Sequence, residues 1–258
     1  MANNPLELAL DVARESGREL LERLDRPREI ATKSRRADLV TDADRASERI
    51  IVARLRAAYP AATILAEESG RHDGTSDERW IVDPLDGTTN FAHAYPLFCV
   101  SIAFERRGEL IAGVVHAPAM GETFAAERGA GAAFNGRPAS VSEIERVGEA
   151  MTCTGFHPAD YEKNARCFAA ASRSAQAVRR DGAAALDLAY LACGRYDGFW
   201  EFDLSPWDVA AGTLLVREAG GTVTRVDGSP AALDARSILA TNGRIHEELR
   251  DVLATPLT

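Results

Sequence analysis

The sequence predicts an α/β (α+β) protein built from two unequal halves, and three patterns support this class. Between Pro5 and about Leu24, apolar residues recur at helical spacing, which indicates an amphipathic surface helix. From Phe98 to Phe134, short apolar runs alternate with glycine-containing turns, which is typical of an antiparallel meander. After Met151, strand-like and helix-like stretches alternate. We expect halves at residues 1–145 and 146–258 within one compact unit.

Length, composition and charge exclude several classes of protein. The chain has 258 residues, of which 46% are hydrophobic and 27% are charged, and these are ordinary globular values. No apolar run approaches the roughly 20 residues that span a bilayer, so we expect no membrane segment. The net charge of −9 disfavours a nucleic-acid surface, which needs clustered positive charge. Residues 1–5 lack the features of a secretory signal, so a cytoplasmic location is the expectation.

The cysteines are scattered along the sequence. None falls in the close pairs with cysteine or histidine that a structural zinc site requires, so we expect reduced, packed thiols. No serine or cysteine lies in a Gly-x-Ser-x-Gly motif, so a nucleophile elbow is not expected. The cysteines are Cys99, Cys153, Cys167 and Cys193.

Two acidic stretches lie in the first third of the chain. Thr41 and Asp44 have the spacing of a capping box at a helix start, and capping alone would explain Asp44. The strand-like run Ala62–Ala66 then leads into Glu67 and Glu68. Adjacent residues of a strand face opposite ways, so only one of these glutamates can point into a site. We expect Glu67 to be that residue, and a structural surface pair is the alternative.

The stretch Trp80–Phe91 combines two carboxylates with a turn. Its apolar beginning predicts a short buried strand, and Pro84 and Gly87 predict that the chain stops and turns at Asp83. Asp83 and Asp86 would then bring two negative charges close together. A bound hard cation is the simplest way to compensate their repulsion. A turn rich in aspartate that merely solvates itself is the alternative.

The residues after this turn predict an anion site. Thr88 and Thr89 read as caps at a helix N-terminus, where free amide groups attract phosphate. Cation and anion sites would therefore adjoin.

The second half contains two further candidates. Gly182–Ala185 opens a helix that we expect to extend to about Cys193, and its first amides are donors for an anion or a hydroxyl. A strand carries Glu201, and the next helix starts near Ser205 with Asp208 in its first turn. Stabilisation of that helix alone would explain Asp208.

Four segments resemble the inositol monophosphatase family, whose members are lithium-sensitive, magnesium-dependent phosphatases. The segments are Lys33–Asp44, Ala66–Ser69, Trp80–Phe91 and Asp181–Gly221, and they follow the family's order along nearly the whole chain. The resemblance implies a layered sandwich of the sugar-phosphatase type, with alternating helix and sheet layers, and a homodimer.

The resemblance also implies two or three Mg²⁺ ions. Glu67, Asp83 and the carbonyl of Leu85 would hold the first ion, with a third ion allowed through Glu67. Asp83, Asp86 and Asp208 would hold the second, so Asp83 would bridge. These ligands are all oxygen atoms, which magnesium prefers. Asp44 and Thr88 would orient the attacking water, and Glu68 and Lys33 would support the ligands without touching the ions.

The implied reaction is hydrolysis of inositol monophosphate by an activated water. Residues expected to contact the substrate are Asp86, Gly87, Thr88, Arg179, Gly182, Ala183, Ala184, Glu201 and Asp208. Asp181, Ala183 and Phe202–Leu204 differ from common family choices, which leaves the substrate range open. Fructose 1,6-bisphosphate and histidinol phosphate are alternative substrates, and a non-catalytic scaffold or RNA-associated regulator on the same fold is the alternative class.

Overall fold

The structure is a computed structural model that describes residues 4–24, 30–32, 39–156 and 161–254. Its helices are α1 (Pro5–Leu24), α2 (Asp42–Ala58), α3 (Thr88–Ala92), α4 (Tyr161–Ser174), α5 (Ala184–Ala192), α6 (Pro206–Glu218) and α7 (His246–Ala254). Its strands are β1 (Ile30–Thr32), β2 (Leu39–Thr41), β3 (Thr63–Ala66), β4 (Gly70–His72), β5 (Glu78–Asp86), β6 (Cys99–Arg106), β7 (Glu109–Ala117), β8 (Glu122–Glu127), β9 (Gly131–Phe134), β10 (Arg137–Ala139), β11 (Met151–Thr154), β12 (Ala177–Arg179), β13 (Gly198–Phe202), β14 (Thr222–Thr224) and β15 (Ser237–Thr241).

Two sheets organise the molecule. The first has eight strands in the order β10-β9-β8-β7-β6-β5-β3-β4, and its neighbours are antiparallel except for the parallel pair of β3 and β5. The second has five strands in the order β12-β11-β13-β15-β14, with β11 parallel to both of its neighbours. A separate antiparallel pair joins β1 and β2.

Helices and sheets alternate in five layers. α1 and α2 pack on one face of the eight-stranded sheet, and α5 and α6 lie between the two sheets. α4 and α7 cover the outer face of the five-stranded sheet. The layered sandwich predicted from the sequence is therefore confirmed.

Alternation along the strands decides which residues face the central helices. On β5, Trp80 and Val82 join the core beneath α1 and α2, whereas Ile81 joins the central core. On β13, Trp200 packs outward and Phe199 packs inward. Residues two positions further along a strand share a face, so Asp83 and Glu201 lie on the central side of their sheets.

Most elements lie where the sequence predicts them, with one difference in strand length: β5 does not stop at Asp83 but continues to Asp86. The structure adds the edge strand β4, paired antiparallel with β3. All nine residues of α5 are buried because it is covered by both sheets. None of the helices in the described residues combines the length and apolarity needed to cross a membrane.

Candidate active site

The parallel pairing of β3 and β5 aligns the first two predicted ligands. Ala66 lies opposite Val82 in the register, and the amide of Glu67 donates to the carbonyl of Val82 at 3.2 Å. Glu67 therefore leaves its strand beside Asp83, at the same edge of the sheet.

An irregularity in β5 brings Asp83 and Asp86 out of simple alternation. Asp83 lies opposite Ser101 and Asp86 lies opposite Cys99, so two residues of β5 stand against a single residue of β6. Such a bulge re-aims side chains, and it accommodates Pro84, which has no amide hydrogen for the ladder. The amide of Leu85 donates to Asp83 Oδ1 at 3.0 Å, which fixes this carboxylate over the bulge.

Gly87 ends the strand and starts α3. Its φ of 89° is left-handed, and a Cβ atom there would lie 2.9 Å from the carbonyl oxygen of Leu97. Gly87, and not a threonine, occupies the N-cap position, so the predicted capping by Thr88 and Thr89 is wrong. The Thr88 hydroxyl instead lies 2.9 Å from Asp44 Oδ1 and 3.0 Å from the Leu85 carbonyl oxygen.

Asp44 caps α2 and also contacts Thr88. Its Oδ2 accepts hydrogen bonds from the amide of Thr41 at 2.7 Å and from the Thr41 hydroxyl at 2.6 Å, which confirms the predicted capping box. Its second oxygen remains for Thr88. Burial raises the pKa of Asp44, and hydrogen bonds from Thr41 and Thr88 oppose this rise. Capping and contact with Thr88 are therefore combined in one side chain.

Two more polar residues of α2 hold the ligand-bearing segments, and the sequence reasoning missed both. Ser47 donates to the carbonyl of Pro84 at 2.6 Å, and its hydroxyl also lies 2.5 Å from that of Ser16. Glu48 Oε2 accepts from the amide of Glu68 at 2.8 Å. Positions 44, 47 and 48 lie on one helix face. We call Asp44, Ser47 and Glu48 the α2 polar stripe.

Asp86 links β5 to the start of α5, the helix that lies between the two sheets. Its Oδ2 accepts from the amide of Ala185 at 2.7 Å and lies 3.6 Å from the thiol of Cys99. The amide of Ala185, which the sequence suggested for an anion or a hydroxyl, is therefore occupied by a carboxylate of the protein.

The second half of the chain adds Asp208 and Glu201 to the acidic group that contains Glu67, Asp83 and Asp86. The amide of Ser205 donates to Asp208 Oδ2 at 2.7 Å, so this carboxylate does stabilise the start of α6. The Ser101 hydroxyl donates to the carbonyl of Trp207 at 3.3 Å, which ties β6 to the same helix start. Glu201 is buried, and a Cβ atom on Gly155 would lie only 2.2 Å from its carboxylate.

Burial and mutual repulsion control the charge of this group. Burial raises the pKa of Asp83 well above its usual range, and three acidic neighbours raise it further. Burial also raises the pKa of Asp86 to about 6, although the Ala185 amide opposes it. Burial raises the pKa of Glu201 well above its usual range, and the charge of Asp208 raises it further. The charge of Arg180 opposes this rise. The neighbours of Asp83 are Glu67, Asp86 and Asp208.

Of the remaining residues predicted to contact the substrate, some lie close to α3 and its N-cap and one, Arg179, lies at the surface. Gly182, with φ 83°, and Ala183, the N-cap of α5, lie beside Asn90 and Gly87 respectively. Ala184 follows as the first residue of α5. Arg179 is exposed and donates to the carbonyl of Val178, its own neighbour.

Arg180 is the basic residue that the structure brings toward the acidic group. Its Nη1 would lie 3.0 Å from a Cβ atom on Gly182, and its charge acts on Glu201. The local sequence Arg179-Arg180 did not distinguish the two arginines. Lys33 lies outside the described residues.

The chemistry of this group fits a hard divalent cation. It offers only oxygen atoms, and its buried carboxylates need positive charge nearby if they are to ionise near neutral pH. No three of Glu67, Asp83, Asp86 and Asp208 bring carboxylate oxygens within 4.8 Å of one another. Side-chain rotation would therefore be needed for three of them to meet at one ion.

The layered fold, with its acidic group at the edges of two sheets, defines the sugar-phosphatase class. The sequence profile of the inositol monophosphatase family matches residues 3–255. The chain belongs to the inositol monophosphatase family.

Three similar proteins match this chain along most of its length. A protein of Synechocystis sp. named inositol-1-monophosphatase is 43% identical over 96% of this chain and 88% of its own length. A protein of Pseudomonas aeruginosa named Nus factor SuhB is 44% identical over 95% of this chain and 93% of its own. The crystal structure of extragenic suppressor protein suhB from Bartonella henselae superposes with a TM-score of 0.92, at 41% identity, over 96% of this chain and 97% of that one.

Proposed function

We propose that this protein is a magnesium-dependent phosphomonoesterase that hydrolyses inositol monophosphate to inositol and phosphate. The observation that carries the proposal is the convergence of the buried carboxylates of β5 with half-buried Glu67, just after β3, and half-buried Asp208 of α6, beside the Asp44–Thr88 hydrogen bond. Membership of the family and the name of the Synechocystis relative support this substrate.

We assign the metal ligands to Glu67, Asp83, Asp86, Asp208 and the carbonyl of Leu85. Bound magnesium would supply Lewis-acid chemistry, lowering the pKa of water and stabilising negative charge on oxygen. The assignment of two or three ions, and sensitivity to lithium, belong to the same proposal.

In this proposal Asp44 and Thr88 would orient a water and take its proton. Thr88 can donate its hydroxyl hydrogen to Asp44 Oδ1 while its oxygen accepts a hydrogen from water. Asp44 is anchored by Thr41 through its other oxygen, so Oδ1 keeps its position. A general base must lie within hydrogen-bond reach of the proton that it receives, directly or through one hydroxyl.

Substrate groups would meet both halves of the chain. The amides of Gly87 and Thr88 would receive phosphate at the start of α3. Gly182, Ala183 and Ala184 would lie near the sugar hydroxyls, together with Asp86, Glu201 and Asp208. Arg179 was expected at the rim, and the position of Arg180 makes it the better candidate there.

A phosphate-release panel tests this function. Inositol 1-phosphate, fructose 1,6-bisphosphate, histidinol phosphate and adenosine bisphosphate are compared with and without magnesium. We expect magnesium-dependent release, fastest from inositol 1-phosphate. Faster release from another member of the panel would move the assignment to that substrate, and no release from any of them would remove the enzymatic proposal.

A non-catalytic regulator is the second candidate, and the name of the Pseudomonas relative, Nus factor SuhB, is the observation that favours it. The same panel separates the two, because a regulator without activity would release no phosphate.

We further propose a homodimer in the cytoplasm. Analytical ultracentrifugation and cell fractionation test these two points.

A further inference from the structure

A second group of possible metal ligands lies between β11, the end of β12 and α5. The thiol of Cys153 and one carboxylate oxygen each of Asp181 and Asp187 all lie within 4.8 Å of one another. Cys153 is on β11 and packs into the central core, and Asp187 lies in the first half of α5. We call these three residues the Cys153 cluster. It shares no residue with the acidic group assigned to magnesium.

Burial makes this cluster hard to explain as a set of ordinary side chains. The exposed fraction is 0% for Cys153 and 1% for Asp187. Both carboxylate oxygens of Asp187 are buried and no nitrogen or oxygen donor pairs with them; the Cys153 thiol is the side chain whose hydrogen bonding lowers the pKa of Asp187. An uncompensated buried carboxylate is costly and must be neutralised by a proton or by a cation.

Within the described part of the chain, none of the groups that act most strongly on Asp187 is a basic side chain. After burial, the group that most raises the pKa of Asp187 is the carboxylate of Asp181, with smaller contributions from Asp86 and Glu201. Cys153, whose thiol pKa is raised by burial, is likewise surrounded by Asp187 and Asp181. The cluster is therefore a buried concentration of acidic groups in which Asp187 points at two other potential ligands.

We propose that Cys153, Asp181 and Asp187 form a binding site for a thiophilic divalent cation of the Zn²⁺ class. One sulfur and two carboxylate oxygens suit zinc, whereas magnesium avoids sulfur. Three protein ligands leave a fourth position for water. The Tyr196 hydroxyl donates to Asp181 Oδ2, and such a bond orients a ligating carboxylate.

The cation would join three parts of the chain, of which β11 and β12 are already paired in the five-stranded sheet. It would link β11 to Asp181, which directly precedes Gly182, and to α5. The cluster escapes the sequence because its members are separated by 28 and 6 positions, outside the close pairs typical of zinc sites. The inference does not depend on the phosphatase proposal.

Cobalt absorption gives a test that oxygen-only sites cannot mimic. Metal is removed from the intact protein, Co²⁺ is added, and the sulfur-to-cobalt charge-transfer band is recorded. We expect a band in the wild-type protein, its loss in Cys153→Ser, and displacement of the cobalt by an equivalent of Zn²⁺. Mass spectrometry should find about one zinc per chain in wild type and background levels in Cys153→Ser.

Two control variants decide which thiol is involved. Cys167→Ser removes another buried thiol, which lies against the carbonyl of Leu253 and outside the cluster, and it should keep the band. Cys99→Ser tests whether cobalt at Asp86 reaches the neighbouring thiol, and it should also keep the band. A band lost in Cys99→Ser and kept in Cys153→Ser would overturn the proposal.

Asp181→Asn provides a variant at the less buried ligand in case Cys153→Ser does not fold. We expect it to weaken the cobalt band and to lower the retained zinc. Absence of any band in the wild-type protein, with zinc at background, would show that Asp187 is neutralised by a proton and would overturn the site.

Discussion

Asp83 is the residue on which most of the proposed site depends. It is 2% exposed, and the negative charges of Glu67, Asp86 and Asp208 add to the rise that burial causes in its pKa. Asp83→Asn removes the charge assigned to a bridge between ions, so several kcal/mol of transition-state stabilisation should disappear and turnover should fall more than about 100-fold. The measurement is phosphate release against magnesium concentration.

Asp73→Asn is the control for this change, because the Asp73 side chain is 78% exposed and pairs with Arg71 at the surface. It should leave the rate unchanged. Near-normal turnover of Asp83→Asn at saturating magnesium would contradict the bridging role.

Glu201 should act on the substrate and not on the ions. It lies on the central face of β13, beside Gly155 and within the influence of Asp208. Glu201→Gln should raise KM for inositol 1-phosphate while the magnesium dependence stays as in the wild type. The exposed Glu149→Gln serves as the matched control. A shifted magnesium requirement in Glu201→Gln would instead assign Glu201 to the metal group.

At the scale of elements, α2 is the support of the site. Through the α2 polar stripe it contacts α3, the bulge of β5 and the turn after β3. Ser47→Ala removes a hydrogen bond worth about 1 kcal/mol and frees the carbonyl of Pro84, so the bulge loses its anchor. The magnesium concentration for half-maximal activity should rise up to about 10-fold, with the rate at saturating magnesium nearly retained.

Ser174→Ala is the matched control for Ser47→Ala. The Ser174 hydroxyl also donates to a backbone carbonyl, that of Ala170, but on α4 in the outer layer. It should not change the magnesium requirement. An equal change in both variants would show that the effect of Ser47 is general destabilisation.

The start of α7 contains a titrating group that should affect stability. The ring nitrogens of His246 lie 2.9 Å from the hydroxyls of Thr224 and Thr241. Burial lowers the pKa of His246; the charge of Glu247 opposes this shift, and Arg250 lowers the pKa further. The folded state therefore favours the neutral ring. Its contribution is present above the unfolded pKa of about 6.5 and is lost as pH falls toward the lower folded pKa.

Denaturant unfolding at about pH 7.5 and about pH 5.5 checks this dependence. Between these values the free energy of unfolding should fall more for the wild type than for His246→Gln. The exposed His93→Gln should behave like the wild type. An identical pH dependence in wild type and His246→Gln would show that His246 does not contribute.

Elements were predictable where the signal is local, and contacts between distant segments were not. The helical spacing of apolar residues predicted α1, and the glycine turns predicted the meander. Both predictions were possible because each pattern lies within a few neighbouring residues. β5 was predicted too short because Pro84 usually ends a strand, and only the pairing with β6 shows that a bulge accommodates it.

The site shows the same division. The local pattern predicted Asp44 only as a capping residue, and the family resemblance assigned it to the site. Ser47 and Glu48 act on Pro84 and Glu68, which lie 37 and 20 positions away. Nothing in the local sequence of α2 distinguishes these two from ordinary polar residues of a helix. The roles of the proposed ligands remain predictions.

At the scale of the whole molecule, α5 and α6 join the two sheets into one packed body. A Cβ atom on Gly212 of α6 would lie 2.5 Å from the Cβ of Leu188 on α5, so glycine allows the helices to approach. Gly212→Ala should overpack this layer and lower stability by about 1–3 kcal/mol. Thermal unfolding measures the change.

Gly148→Ala is the control, since the nearest atom to a Cβ there is the Ser174 carbonyl oxygen at 3.8 Å. We expect a lower Tm for Gly212→Ala and one cooperative transition for both variants. Two separate transitions would instead favour residues 1–145 and 146–258 as independently folding halves, a boundary that we propose only as a division of the chain.

The hydrogen bond from the Ala185 amide to Asp86 joins residues 99 positions apart, and this separation has a consequence for synthesis on the ribosome. A growing chain that ends before α5 has already exposed Glu67, Asp83 and Asp86, but it has neither the amide that fixes Asp86 nor the carboxylate of Asp208. Such long-range contacts form late because loop closure must precede them. The nascent N-terminal half therefore carries an acidic group that stays incomplete until nearly the whole protein has been made.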